Sequence, residues 1–142
     1  MFGKILVGTD GSETASKAVQ HAADIAAATG GELIVVSAYP SPKPDAGSTF
    51  GPAAAYPGPE IARSVLADAE KRLAGHAAKV RTAMREGDPA DAICDVAEEE
   101  RADLIIVGNR GMTGAKRFLL GSVPNNVSHH APCSVLIVHT TE

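Results

Sequence analysis

Four residues between positions 108 and 122 have the types and spacing to grip an anion: Gly108, Gly111, Gly121 and Ser122. They follow the apolar run Leu104-Ile105-Ile106-Val107 and precede a helix-like stretch from Val123 to His130. A strand, a glycine-punctuated loop and a hydroxyl at a helix start are the parts of a phosphate cradle. Gly108 and Gly111 let backbone approach a ligand where a Cβ would clash. Ser122 can cap the helix and also offer its hydroxyl to a phosphate oxygen. Val123 adds an amide, and Pro124 has no N–H to lose where donors are orphaned anyway. Ordinary strand-to-helix turns use glycines too, so the charge around the loop must decide.

The chain is acidic, with a formal net charge of -4. Yet from Leu104 to Thr141 it holds no Asp or Glu, and Arg110, Lys116 and Arg117 all fall inside the loop. Just upstream crowd Glu86, Asp88, Asp91, Asp95, Glu98, Glu99, Glu100 and Asp103. Clearing carboxylates from one loop and placing three cations there suits a bound anion.

The elements that must position this loop alternate strand and helix. Lys4 to Thr9 reads as a buried strand, and Ser12 to Thr29 as a helix with Ala15, Ala18, Val19, Ala22, Ile25 and Ala26 on one face. Gly30-Gly31 ends it. Leu33 to Ala38 reads as a second strand, Glu60 to His76 as a second helix and Val80 to Arg85 as a third strand. Pro89 to Arg101 follows as a third helix with Asp88 as its N-cap. Leu104 to Val107 is the fourth strand, Ser122 to His130 the fourth helix and Ser134 to His139 the fifth strand.

Such alternation predicts an α/β fold: a parallel sheet with helices on both faces, a single-domain three-layer sandwich of Rossmann-like type. Lys79 to Arg85 alternates polar and apolar, which marks an edge strand. The continuously apolar first and fourth strands suit the centre, giving the order 3-2-1-4-5. Ligands in such sheets sit beyond the carboxyl ends of the strands where the winding reverses. Here that point joins Gly8-Thr9-Asp10-Gly11 to the Gly108–Ser122 loop. The alternative order 2-1-3-4-5 would turn Glu86-Gly87-Asp88 toward the cleft, and its carboxylates would repel a phosphate. Ser134 to Val138 is too apolar for a bare edge. It predicts a homodimer through this strand about a two-fold axis, with cover by the C-terminal tail or a helix as the alternative.

The 142 residues fit one domain, 1–142, with a core of small aliphatics: 44% are apolar and 4% aromatic. Residues 40–59 hold six of the nine prolines and three of the glycines and read as a flexible loop. No apolar run is long enough to span a membrane, and Met1 to Ile5 lacks a secretion segment. The expected compartment is cytoplasmic. Cys94 and Cys133 lie in apolar settings and read as reduced core residues. The charge balance argues against a nucleic-acid partner.

The chain resembles the universal stress protein family of small cytosolic α/β proteins. The resemblance runs from Lys4-Ile5-Leu6-Val7-Gly8-Thr9-Asp10-Gly11-Ser12 to Gly121-Ser122-Val123 and Val135-Leu136-Ile137-Val138. Its ATP-binding branch carries Gly-x2-Gly-x9-Gly-Ser/Thr, which Gly108, Gly111, Gly121 and Ser122 match. The resemblance implies a homodimer that binds ATP in the cleft. It implies that Gly8, Thr9 and Asp10 hold the adenosine end and that Ala38 and Val107 line an adenine pocket. Gly108, Arg110 and Gly111 would follow ribose and phosphates, and Gly121, Ser122 and Val123 the phosphate tail, with Lys116 and Arg117 adding charge. The stretch Gly121 to Ser128 and the ending Val135 to Thr141 resemble actinobacterial members that prefer cyclic AMP. Lys116 and Arg117 favour a polyphosphate, because a cyclic monophosphate offers one charge.

No HxGH pattern, Walker A lysine or pyrophosphatase Ser-Gly-Gly loop accompanies the cradle, so no residue is assigned as catalytic. Asp10 has two roles open to it. It can meet Mg²⁺ or a ribose hydroxyl, or it can N-cap the first helix with Glu13 completing the box. Mg²⁺ is otherwise expected only through phosphates. No second carboxylate stands near the motif to act as base. The expectation is a nucleotide-dependent switch seen by regulatory protein partners, with slow or absent ATP hydrolysis. A slow ATP-hydrolysing enzyme is the alternative. His21, His76, His129, His130 and His139 show no metal-ligand spacing.

Overall fold

The computed structural model describes residues 2–41, 58–109 and 122–140. Five strands, β1 (Lys4–Gly8), β2 (Glu32–Tyr39), β3 (Lys79–Glu86), β4 (Leu104–Gly108) and β5 (Ser134–Val138), form one sheet in the order β3-β2-β1-β4-β5. Every pairing is parallel. The helices are α1 (Glu13–Thr29), α2 (Gly58–Arg72), α3 (Pro89–Glu100) and α4 (Ser122–His130). The expected order and helix count therefore hold.

Side-chain alternation divides the sheet between two cores. Ile5, Val7, Leu33, Val35, Leu104 and Ile106 face α1 and α2, where they meet Ala18, Val19, Ala22, Ala26, Leu66 and Leu73. Leu6, Ile34, Val36, Ile105 and Val107 face α3 and α4, where they meet Ile93, Val96, Val123 and Val127. Alanines along α1 let its backbone lie close to the strands, so a chain poor in aromatics can still exclude water from both faces. β1 is central and registered on both sides: Ile5 stands opposite Leu33 of β2 and Leu104 of β4.

The sheet's two edges differ. β3 buries none of its residues fully, as its alternating sequence predicts. At its amino end the Arg81 guanidinium bridges Glu32 (Nε–Oε2 2.8 Å) and Glu100 (Nη2–Oε1 2.8 Å). β5 leaves Leu136 39% and Ile137 37% exposed, which is much apolar surface for an edge strand.

Several boundaries move. The N-cap of α1 is Ser12, not Asp10. The Ser12 hydroxyl accepts from the Ala15 amide at 3.2 Å, while Asp10 Oδ1 accepts from the Ser12 amide at 2.9 Å. Gly11, at φ 84°, turns the chain between them, so the cap falls two residues past the expected one. Glu13 then stands at the first helical position and completes no box. α2 starts at Gly58, inside the stretch expected to be loop, and stops at Arg72, short of His76. Gly75 takes φ 85°, and the His76 ring bonds back to Asp24 of α1 (Nε2–Oδ1 3.0 Å) while its Nδ1 accepts from the Ala78 amide at 3.1 Å. Most of segment 40–59 lies outside the described residues.

Candidate functional site

The winding reverses between β1 and β4, and their carboxyl ends open into one cleft. Gly8 contributes the end of β1, and Val107 and Gly108 the end of β4. Thr14 and Ala15 come from the first turn of α1, Val123 and Pro124 from the first turn of α4, and Thr140 from beyond β5. Two helix amino termini thus meet at one opening. Their partial positive charge and unused amides favour a negative ligand there.

Each wall has a local cause. Thr9 is 3% exposed; its amide donates to the Val36 carbonyl at 2.9 Å and its hydroxyl accepts from the Gly11 amide at 3.0 Å. These bonds, with the Asp10–Ser12 contact, fold the β1–α1 turn and leave Asp10 half-buried at its outside. Gly108 is half-buried against Thr140: a Cβ there would stand 3.1 Å from the Thr140 hydroxyl oxygen. Glycine at 108 is thus favoured by the neighbour, not by the backbone angle. Thr140 is 4% exposed, and both its amide (2.8 Å) and its hydroxyl (3.2 Å) donate to Asn109 Oδ1. The Asn109 amide donates to the Val138 carbonyl at 2.9 Å.

The structure brings together Gly8, Val107, Gly108 and Val123 of the residues picked from sequence. Ser122 is the first residue of α4 and is exposed, so it sits inside the helix's first turn rather than capping it from outside. Ala38 is half-buried on β2, on the same sheet face as Val107 but with β1 between them. Arg110, Gly111, Lys116, Arg117 and Gly121 lie outside the described residues. Thr14, Ala15, Asn109 and Thr140 were not picked from sequence. Thr14 and Ala15 follow from the helix start that Ser12 sets. Thr140 carries no sequence signal that would have marked it.

A larger cleft, of about 210 Å³, lies between α1 and α2 and shares only Thr9 and Gly11 with the β1 turn. Its rim mixes Glu13 and Asp68 with Lys17 and Arg72, and Arg72 is bonded to Asp68 at 3.0 Å. Opposite charges cancel there, so it offers no field for an anion. Cys94 and Cys133 are free and half-buried rather than fully in the core. Burial pushes both thiols up, and the Asp91 and Asp95 carboxylates push Cys94 further. That disfavours a reactive thiolate. Among the described residues, no three His, Cys, Asp or Glu side chains gather as a metal site. No described helix is long and apolar enough to cross a membrane.

Residues 1–139 match the family model described as "Universal stress protein family". The chain belongs to the universal stress protein family. Universal stress protein Rv1636 of Mycobacterium tuberculosis is 42% identical over 151 residues, which span 99% of this chain and 98% of that one. A universal stress protein crystallised in complex with cAMP superposes with a TM-score of 0.76 at 35% identity, covering 99% of this chain and 98% of its own. The hypothetical protein MJ0577 superposes with a TM-score of 0.82 at 31% identity over 100% of this chain and 99% of its own. Relatives of this fold thus include one with a cyclic nucleotide bound.

Proposed function

We propose that this universal stress protein is a nucleotide-dependent regulatory switch. It takes ATP across the β1–β4 reversal and pairs as a homodimer through β5. One observation carries the reading. Gly108, at the start of the glycine motif, and Val123 and Pro124, directly after its Ser122 end, border the same opening as Gly8 of β1. In this reading Gly8, Thr9 and Asp10 receive the adenosine end, and Ala38 and Val107 the adenine. Gly108, Arg110 and Gly111 run along ribose and phosphates. Gly121, Ser122 and Val123 take the phosphate tail, supported electrostatically by Lys116 and Arg117.

In this reading Mg²⁺ accompanies phosphate oxygens, where it would neutralise charge; Asp10 is the candidate carboxylate for it, although its Oδ1 accepts from the Ser12 amide and it does not line the opening. Among the described residues no carboxylate or histidine lines the opening as a general base, and binding with slow or no hydrolysis is the reading for ATP.

A second reading, cyclic AMP in the same cleft, is favoured by the cAMP complex of a relative. Mass spectrometry of protein purified without added nucleotide identifies the ligand. Calorimetry with ATP and with cyclic AMP then ranks the two. Gly121→Ala, by adding a Cβ where backbone meets the phosphates, and Ser122→Ala, by removing a hydroxyl bonded to them, should each weaken the preferred ligand by about tenfold or more. Unchanged affinity in both variants removes the cradle from the account.

A further inference from the structure

We propose that the cleft between α1 and α2 is a second binding site, for a zwitterion of amino-acid size with an apolar side chain. Among the described residues it shares no lining residue with the β1–β4 opening. Thr9 lines it and is 3% exposed. The Thr9 hydroxyl oxygen accepts from the Gly11 amide at 3.0 Å, and among the described residues nothing accepts its proton. A buried O–H without an acceptor is costly, and native structures normally supply one. Val65 of α2 packs on the same turn: a Cβ at Gly11 would stand 3.0 Å from its Cγ2. Turn and helices together border about 210 Å³, short of the roughly 300 Å³ at which pockets for drug-sized ligands begin.

The charges that cancel toward a lone anion suit a ligand bearing both signs. Glu13 and Lys17 stand one turn apart on the α1 wall, both exposed. Glutamate and lysine at that spacing are well placed to pair. Here they do not, and neither has a partner among the described residues. On the α2 wall Asp68 and Arg72 do pair, at 3.0 Å, so the free charges are those of α1. Between the walls the surface is apolar: Val19 comes from α1, and Val65, Ala69 and Leu73 from α2. A lone anion would meet Glu13 and Asp68, and a lone cation Lys17 and Arg72. A zwitterion meets each group with its complement. Its carboxylate would accept from the Thr9 hydroxyl and the Lys17 ammonium, and its own ammonium would donate to Glu13. Its hydrocarbon part would cover Val65 and Leu73.

The test is an amide NMR titration of the full chain with L-leucine, 4-methylpentanoate, 3-methylbutylamine and glycine. Leucine carries both charges and the hydrocarbon; each of the others lacks one of the three. Leucine should shift the Gly11, Lys17, Val65 and Ala69 amides with a Kd of about 10 mM or tighter. Each of the other three should bind at least about threefold more weakly. Glu13→Gln and Lys17→Gln, both at exposed positions, should each weaken leucine by about three- to tenfold. Thr9→Val, which removes the unpaired donor, should weaken it by about threefold or more. If Thr9→Val does not fold, the two α1 variants decide. Lys71→Gln, exposed on α2 and no part of the cleft, should leave the titration unchanged. Leucine that leaves these amides unmoved, or that binds no better than its singly charged analogues, overturns the site. So does wild-type affinity in both α1 variants, or an equal loss in Lys71→Gln.

Discussion

Replacing Gly108 by alanine tests the cleft wall at a residue proposed to run along ribose and phosphates, without removing a charge. The new Cβ would lie 3.1 Å from the Thr140 hydroxyl oxygen and 3.3 Å from its Cγ2. Ordinary contact starts near 3.4 Å, so Thr140 must retreat by a few tenths of an ångström. It cannot retreat freely, because its amide and hydroxyl are both held by Asn109. Overpacking of this kind costs about 1–3 kcal/mol. Gly108 lies at the end of a strand with no positive φ, so alanine also recovers about 0.4–1 kcal/mol by restricting the unfolded chain. The balance is a loss of about 1–2 kcal/mol, read by urea unfolding with an unchanged slope. Thr140→Ala opens the space, so the double variant should be more stable than the two single losses summed, by about 0.5–2 kcal/mol. Nucleotide affinity should fall in Gly108→Ala and partly return in the pair. A Gly108→Ala protein as stable as wild type, with strictly additive behaviour in the double variant, would refute the argument that Thr140 dictates glycine at this position.

Three further outcomes are expected. Hydrogen bonds from Arg81 hold the Glu32 and Glu100 carboxyls below the usual range. Their contribution is present above that range and is lost as pH falls through it, so Arg81→Gln should flatten the decline in stability between about pH 5 and pH 3; an unaltered acid limb counts against the clamp. Ile137→Lys, which places a charge on the exposed β5 edge, should turn the proposed β5-paired dimer into monomer by light scattering; a persisting dimer moves the interface elsewhere. Ser12→Ala should cost about 1 kcal/mol in thermal or urea unfolding, and more than Asp10→Ala, because Ser12 is the residue that caps α1; the reverse ranking would restore Asp10 as the cap.

Much of the fold is legible in the residues because burial writes distinct patterns. Lys79 to Arg85 alternates, so β3 is an edge; Ile5 to Val7 and Leu104 to Val107 do not, so they are central. From that order the reversal point and the cleft follow. The cap of α1 was not legible, because Asp10 and Ser12 are both good capping types and Asp10 has an acid three residues on. What decides is the left-handed turn at Gly11, a property of the folded backbone. The end of α2 was misread for a similar reason: helix periodicity runs on to His76, but the ring finds Asp24, 52 positions away. Asn109 and Thr140 escaped notice because each is an unremarkable polar residue until the β4–β5 pairing sets them side by side.

The placement of β1 has a consequence for how the chain is made. It leaves the ribosome before the other strands of this sheet, and one of its two neighbours, β4, comes about a hundred residues later; Asp103, just before β4, accepts from the amides of Gly3 and Lys4 at 3.0 and 2.9 Å. Until that segment emerges, one flank of the central strand is an unpaired apolar template. Nascent chains halted before residue 103 should therefore cling to holding chaperones, and chains that have passed β4 should let go.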